Sequence, residues 1–461
     1  MNPFNPERTV SERLIDFVRQ QQRAGVPPDV RHEALRLLVN QLKASVAATT
    51  HPAVQILHGW ARETPPGGAA GSASVLWFGT ATTPAQAAVV NGALFEVLDF
   101  NDTYIPTFMH ATSGVLPAAL ALAESQGCSG RALLDALALG IECELACATV
   151  LMPTGYHRGF VPGGLVGAIG GAMACGLLGG LDDTPLRNAL GLAMTSAFGT
   201  YESVGSMGLP YIMGMVARSG YTAYDLARRG LDAPRTAFEG EKGMLPSYSN
   251  EPHDKIGPTL ETLGKDWRIF GQSYKTVPTE TITHAPIDCV MQLLPLAAGR
   301  TVERLRFSVA PIVTRIADER RARFGLPSSE LTARFDTRYC AAAAWLRGRF
   351  TLDEMREPAY TDAAILALRE RVDLLPDEGF ATFDGCALEV VFTDGSTLAT
   401  RVPDFLGSPG NRLSDAQLSQ VFRNAAQGLL PDGQVEALLR SAWSLHEAPS
   451  LAPLVSLARL A

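Results

Sequence analysis

The strongest constraint on the fold is an uncharged run of 22 residues, from Phe160 to Leu181. As a helix, a run of this length spans a bilayer. Eight of its residues are glycine and only four are leucine, and basic or aromatic anchors at its ends are sparse, which argues against membrane insertion. Gly163, Gly167 and Gly171 follow one another at intervals of four, a spacing that favours close packing between helices. We therefore predict a buried helix and no membrane partner.

Patterns rich in Ala and Leu dominate the chain from residue 8 to about residue 250. Apolar residues recur there every three to four positions and strand-like alternation is nearly absent, which predicts helices. Gly127 and Gly230 stand where helix C-caps are expected, and Pro117 marks the start of an element. The sequence thus predicts a large all-helical domain over residues 8–265.

The pattern changes in the rest of the chain. Residues 302–316, VERLRFSVAPIVTRI, are rich in β-branched residues and predict a strand. The segment CALEVVFTDGSTLATRV carries Asp394–Gly395 between two alternating runs, which predicts a hairpin. Helical stretches lie between these strands. The expected fold is mainly α, with a smaller α+β domain over 266–412 and C-terminal helices at 413–450 that return to the large domain.

Composition narrows the function classes. The net charge is −8, and the 34 Arg and five Lys are spread without a basic run, so we expect no nucleic-acid partner. The seven Cys are odd in number and lie in apolar surroundings, which is typical of buried thiols in a reducing compartment. The N-terminus is charged and amphipathic, without the apolar core of a signal peptide. These features predict a cytoplasmic globular protein.

The densest polar cluster of the helical part is VLDFNDTYIPTFMHATSG, residues 97–114. Asp99 and Asp102 follow an apolar helix, and His110 ends the loop before a helix that we expect to begin at Val115. Stabilisation by the helix dipole does not explain carboxylates at this end, because the dipole favours them at N-termini. Local capping in a solvated loop is the plain alternative to a functional role.

Two further clusters are weaker when taken alone. His157 stands between glycines in the loop GYHRG, just before the glycine-rich run, and a lone loop histidine is more often ordinary than catalytic. The segment YKTVPTETITH runs from Tyr274 to His284, and Lys275 is one of only five lysines.

Four motifs occur in one order between about residue 8 and residue 450: DFNDT…HATSGVLPAALALAESQGCSG, GYHRG, RRGLDAPRTAFEGEKG and K-x-x-P-x5-H. Together they resemble the MmgE/PrpD family, which includes 2-methylcitrate dehydratase, cis-aconitate decarboxylase and iminodisuccinate epimerase. The resemblance implies a large helical domain, a smaller α+β lid domain, a homodimer and an active site in the cleft between the domains. It also implies that no metal or organic cofactor is required.

The resemblance carries family roles to seven positions of this sequence. Those with a catalytic role are His110, His157, Asp99 and Lys275. Those expected to bind substrate are Thr103, His284 and Tyr339.

Three positions depart from the family pattern. Where the family reads G-T-M-T-K-x-x-H-x-G, alignment on the outer glycines puts Leu209 at the Lys and Ile212 at the His, and Glu280 stands where relatives commonly show Cys or His. A tricarboxylate would lose one cationic partner, which typically costs several kcal/mol. We therefore expect these three residues to contact a mono- or dicarboxylate, or an acid whose apolar group lies against Leu209 and Ile212.

Dehydration, decarboxylation and epimerisation of such acids share a carbanion or enolate beside a carboxyl group. That intermediate needs a positioned base and donors aimed at the developing oxyanion. His110 is the best base because imidazoles titrate near neutral pH. We expect Asp99 to orient it, His157 to act as the partner acid and Lys275 to bind a substrate carboxylate. Glu280 is either a further acid or base, or an ion-pair partner of Lys275.

The sequence thus predicts a cofactor-independent lyase that dehydrates or decarboxylates a small carboxylic acid. An isomerase or epimerase is the alternative, since His110 and His157 can serve two faces of one carbon. A non-catalytic binding protein is the third possibility, favoured if Leu209 and Ile212 close the pocket.

Overall fold

The computed structural model describes residues 8–63, 72–297 and 299–460. Contacts between residues divide the chain into two compact units. The helical unit consists of the residues up to Val97, Asn101–Gln272 and the residues from Asp415 onward. The mixed unit consists of Leu98–Phe100 and Ser273–Ser414. A large helical part with a smaller α+β part is the fold that the sequence predicts, and it is confirmed.

The helices of the described residues are numbered in chain order. The helical unit begins with α1 (Val10–Ala24), α2 (Pro28–Ala48), α3 (Pro52–Arg62), α4 (Pro84–Glu96), α5 (Ala111–Gln126), α6 (Gly130–Leu151), α7 (Thr154–His157), α8 (Pro162–Leu178), α9 (Asp183–Thr195), α10 (Gly208–Arg228), α11 (Met244–Tyr248) and α12 (Ile256–Glu261). The mixed unit contains α13 (His284–Leu293), α14 (Pro311–Phe324), α15 (Glu330–Ala333), α16 (Thr337–Arg347) and α17 (Ala363–Arg369). The chain returns to the helical unit with α18 (Asp415–Ala426), α19 (Asp432–Trp443) and α20 (Ala452–Leu457).

Strands are few and mostly short. They are β1 (Ala73–Val75), β2 (Thr80–Thr82), β3 (Thr103–Tyr104), β4 (Gln272–Ser273), β5 (Val302–Val309), β6 (Val372–Pro376), β7 (Cys386–Phe392) and β8 (Thr397–Val402). The sheet of the mixed unit has the order β6-β5-β7-β8, in which β5 and β6 are parallel and the other neighbours antiparallel.

The glycine-rich run forms α8, and every residue from Pro162 to Gly176 is buried. This helix packs against α5, α6, α9 and α10. Backbones approach closely at its glycines: a Cβ on Gly140 would lie 2.7 Å from the carbonyl oxygen of Gly170. Among the described helices, none has the length and apolar character needed to cross a membrane. The prediction of a buried helix packed between helices is confirmed.

Two boundaries differ from the sequence prediction. Helix α5 begins at Ala111, directly after His110, so the start predicted at Val115 is wrong and Pro117 lies inside the helix. The strand predicted over 302–316 is also too long, because β5 ends at Val309 and Pro311 begins α14. A proline at the first helical position favours a helix start, and Val313 and Ile316 are buried by the helix instead of by a strand.

Other local predictions are confirmed. Gly127 ends α5 with a left-handed backbone, at φ 67°. The hairpin forms between β7 and β8, and the Asp394 carboxylate accepts a hydrogen bond from the Ser396 backbone N–H at 2.9 Å. Both signals are local, since a turn needs only its own residues.

A buried ion pair joins α6 to the segment after α12 within the helical unit. The Glu142 carboxylate accepts hydrogen bonds from the backbone N–H of Arg268 and from its guanidinium, both at 2.8 Å. Glu142 is fully buried and the Arg268 side chain is 10% exposed. Burial raises the pKa of Glu142, although the adjacent guanidinium acts in the opposite direction. Each charge depends on the other for its stability in this environment.

We predict that Glu142→Ala lowers the free energy of unfolding by about 3–5 kcal/mol, because it leaves the buried guanidinium without its partner. Urea denaturation with a two-state fit measures this value. The control is Glu436→Ala, which breaks the exposed Arg423–Glu436 pair and should change stability little. Equal effects of the two substitutions would contradict the prediction.

Candidate active site

The loop between α4 and α5 folds back on itself and carries the first group of predicted residues. Tyr104 and Met109 exchange two backbone hydrogen bonds, of 2.8 and 3.2 Å. This closure brings Thr103 and His110 together, with the Thr103 hydroxyl 3.4 Å from Nδ1 of the His110 ring. Thr103 is buried and His110 half-buried, and both belong to the helical unit.

The second contact of the His110 ring fixes its tautomer. Nδ1 lies 2.8 Å from the backbone carbonyl oxygen of Asp102. A carbonyl oxygen only accepts, so Nδ1 carries the proton and Nε2 holds the lone pair in the neutral ring. This arrangement equips Nε2 to take a proton. The sequence prediction that Asp99 orients His110 stays a prediction.

An aromatic cluster, consisting of Phe108, Tyr156, His157 and Tyr201, stands beside this loop. The ring centroids of Phe108 and Tyr156 lie 4.8 Å apart. The Tyr156 centroid lies 5.6 Å from that of His157 and 5.0 Å from that of Tyr201. Phe108 adopts a left-handed backbone with φ 55°, which is rare for a bulky residue. Since the exposed His157 ends α7, the cluster links the second predicted histidine to the loop of the first.

Leu209 and Ile212 stand in the first turns of α10, in an apolar cluster. Its members are Val161, Phe198, Tyr201, Leu209, Ile212 and Val216. Tyr201 belongs to both clusters, so the apolar surface is continuous with the aromatic one. The two positions where the family pattern has a lysine and a histidine therefore carry apolar side chains in this chain. We call the surface formed by Leu209 and Ile212 the apolar wall.

In the mixed unit, the Lys275 ammonium is fully buried and bonded to Asp99. It bonds the Asp99 carboxylate and also donates to the Asp99 backbone carbonyl at 2.9 Å. The Asp99 backbone is left-handed, with φ 49°, a conformation that aspartate tolerates better than most residues. The two oxygens of one residue thus compensate a buried cation.

Glu280 precedes the short turn that leads into α13, and it accepts a hydrogen bond from the Arg320 guanidinium at 2.7 Å. Burial raises the pKa of Glu280, while the positive charges of Arg320 and Lys275 lower it. The predicted gain of a negative charge at position 280 is therefore offset by Arg320.

His284 and Tyr339 are both buried in the mixed unit. His284 is the first residue of α13, and the centroid of its ring lies 5.2 Å from that of the Phe405 ring. The Tyr339 hydroxyl donates to the Glu354 carbonyl, and burial raises the pKa of this hydroxyl. Their substrate-binding roles stay predictions, since these contacts are those of packed core residues.

Sequence reasoning missed two buried arginines of the mixed unit. Arg320 bonds Glu280, and Arg334 bonds Glu330 at 2.9 Å while its carbonyl accepts from the Thr279 hydroxyl at 2.8 Å. Arg320 lies in the run DERRARF, whose charges resemble a solvated helix face. The sequence carries no local signal that separates the buried arginine from its exposed neighbours.

Behind the histidine loop, Glu144 is buried in α6 without a polar contact. Among the residues that the structure describes, neither of its carboxyl oxygens has a hydrogen-bond partner. Gly167 and Gly170 of α8 face it: a Cβ on Gly167 would lie 3.6 Å from Oε1. Burial, aided by the negative charge of Asp102, raises the pKa of Glu144 well above its ordinary value. This environment favours the neutral form of Glu144 over the ionised form.

Comparison with known proteins agrees with the motifs. A family model of the MmgE/PrpD N-terminal domain matches residues 12–256, and one of the C-terminal domain matches residues 277–446. The chain belongs to the MmgE/PrpD family.

Several relatives bear the name cis-aconitate decarboxylase. This chain is 29% identical to the human protein over 389 residues, which cover 81% of this chain and 79% of the relative. It is 28% identical to the mouse protein over 381 residues, which cover 79% of this chain and 76% of the relative. It is 22% identical to a protein of Aspergillus terreus over 486 residues, covering 98% and 96%. The family and these relatives support a lyase function.

The raised pKa of Glu144 predicts a pH-dependent effect of Glu144→Gln on stability. The unfolded carboxyl loses its proton near the ordinary value of 4.5, whereas the folded one keeps it to higher pH. Above that value the folded state binds more protons than the unfolded state, so rising pH lowers the stability of the native chain. Glutamine has no proton to lose. As the pH rises, the free energy of unfolding of the variant should increase relative to that of the native chain by up to about 1 kcal/mol per pH unit.

Urea denaturation of both proteins between pH 5 and pH 8 measures this difference, with the exposed Glu436→Gln as the control. A difference that stays constant over this range would mean that Glu144 is ionised in the folded protein.

Proposed function

We propose that this chain is a lyase that dehydrates or decarboxylates a small carboxylic acid through an enolate, without a metal or organic cofactor. Membership of the MmgE/PrpD family and the likeness to cis-aconitate decarboxylases support this reaction class. The observation that carries the proposal is the His110 ring, whose Nδ1 is bonded to a backbone carbonyl so that Nε2 is the basic atom.

In the proposed dehydration, His110 Nε2 removes a proton from the carbon next to a substrate carboxyl group. The electron pair of the broken C–H bond moves into the carboxyl group as an enolate, and then expels a hydroxyl group that is protonated by an acid. His157 is the candidate for that acid. In the proposed decarboxylation, CO2 leaves without the C–C electron pair, and the carbanion takes a proton from the His110 imidazolium. The proposed role of Lys275 as the cation for a substrate carboxylate requires that the substrate displaces the Asp99 carboxylate from the buried ammonium.

The proposed substrate is a mono- or dicarboxylic acid, or one with an apolar substituent. The support comes from Leu209 and Ile212, which extend the apolar cluster at the position of the family's lysine and histidine. Apolar contacts favour an alkyl or aryl group there, whereas a third carboxylate would lose its hydration without gaining a cation.

His110→Asn should reduce kcat by about 10²–10⁴-fold and leave the fold intact, because asparagine can still donate to the Asp102 carbonyl but supplies no base. Proton NMR in D2O, with a panel of hydroxy, unsaturated and amino di- and tricarboxylates, measures turnover. A new vinyl signal with the native chain identifies the lyase reaction. Undiminished turnover by the variant would contradict the assignment of the base.

An epimerase is the second candidate, because the aromatic cluster links His157 to the loop of His110 and so associates two imidazoles. Deuterium exchange at one carbon without loss of substrate in the same experiment favours this reaction. A folded protein that converts none of the acids in the NMR panel would favour the third possibility, a non-catalytic binding protein.

Leu209→Lys should tighten binding of a tricarboxylate by about tenfold, because it restores a cation whose stem can cross the apolar surface. The matched control is Leu209→Met, which keeps the length and apolar character without the charge. Isothermal titration of both variants with a tricarboxylate measures the difference. Equal affinities would show that the missing charge does not determine substrate choice.

A further inference from the structure

We propose that Asp102 is the positioning residue of His110 and holds it from two sides. The backbone carbonyl of Asp102 binds ring Nδ1, and its carboxylate binds the first turn of the helix that His110 begins. This inference rests on the proposed function, in which His110 is the base.

The carboxylate contact replaces a missing helix cap. His110 is the N-cap residue of α5, yet its side chain makes no capping hydrogen bond. The Asp102 carboxylate instead accepts from the Thr112 hydroxyl at 2.9 Å and lies 3.4 Å from the Thr112 backbone N–H. A helix N-terminus needs an acceptor for its free N–H groups and favours a negative charge. The His110 ring is thus free of the capping role.

The residue before Asp102 strengthens the same connection. The Asn101 side-chain amide donates to Ser113 Oγ in the first turn of α5 and to Glu96 at the end of α4, both at 2.6 Å. Two consecutive loop residues are therefore bound to consecutive residues of the helix. The carbonyl that faces the imidazole has little freedom to move away from it.

The hydrogen bonds also distinguish the two buried carboxyl groups. Asp102 has three donors, namely the Thr112 hydroxyl, the Thr112 N–H and, at 2.8 Å, the Gln41 amide. Glu144 has none among the described residues. Burial raises the pKa of both groups, but the Thr112 hydrogen bonds and the nearby His110 act in the opposite direction at Asp102, so Asp102 ionises more readily than Glu144. A negative charge at Asp102 stabilises the imidazolium that forms when Nε2 accepts a proton.

Asp102→Asn tests the role with little change in shape. The new amide keeps one acceptor for Thr112, and the Gln41 amide can turn to present its oxygen to the new N–H₂ group. The neutral amide nevertheless binds Thr112 less strongly than a carboxylate does, so the loop is held less rigidly against the helix. We expect kcat to fall by about 10- to 100-fold while KM changes less than about threefold, since the base is less well aligned but the substrate contacts remain.

The matched control is Asp362→Asn in the mixed unit. Asp362 caps α17 through the Ala364 N–H at 2.8 Å, so this variant makes the same chemical change at another helix start. It should lower the melting temperature to a similar degree and leave kcat unchanged. A loss of kcat in the control equal to that in Asp102→Asn would overturn the positioning role.

A second readout does not depend on turnover. Long-range ¹H–¹⁵N spectra of the histidine-labelled protein, assigned by the signals lost in His110→Asn, report the tautomer of His110. The native ring should be protonated at Nδ1 alone. Asp102→Asn should give a mixture of tautomers, because the weaker bond from Thr112 to the amide loosens the loop whose carbonyl faces Nδ1. A single Nδ1–H tautomer with native kcat in Asp102→Asn would overturn the inference. Silence of the native chain on every substrate, with the tautomer shift present, would contradict the proposed function and not the positioning.

Discussion

The helical unit depends on the close approach of helix backbones at glycines. A Cβ on Gly92 of α4 would lie 2.9 Å from the Cα of Gly214 on α10, and one on Gly220 of α10 would lie 2.9 Å from the Cα of Gly171 on α8. Side chains at these points would force the helices apart, because packed interiors have no spare volume. The same contacts hold α10 in the orientation that buries Ile212, so the apolar wall follows from the glycine packing.

Local patterns in the sequence predict the features that depend on neighbouring residues. The α8 helix and the Asp394–Gly395 hairpin follow from spacing and turn chemistry over a few positions. The start of α5 does not, because its cap is Asp102, nine residues before the helix, and a closed loop must first bring the two together. Proline inside α5 concealed the true boundary further.

In the candidate site, too, the sequence predicts some residues, while others depend on contacts with distant parts of the chain. The motifs predict His110, Thr103 and Lys275 as site residues through the family resemblance, and the structure gives each a defined contact. They do not predict Arg320, because a sequence does not show which charge of a run is buried. Nor do they predict that burial raises the pKa of Glu144, since this depends on the helices packed around it.

The burial of Lys275 has a practical consequence for handling the protein. Lys43 is likewise fully buried, whereas Lys242 and Lys265 are exposed and Lys255 is half-buried. Amine-reactive dyes, crosslinkers and activated surfaces react with amino groups that solvent can reach and that can lose their proton, so among the lysines they will attach at the latter three. The protein can be labelled or immobilised through its amines while the lysine of the candidate site remains unmodified.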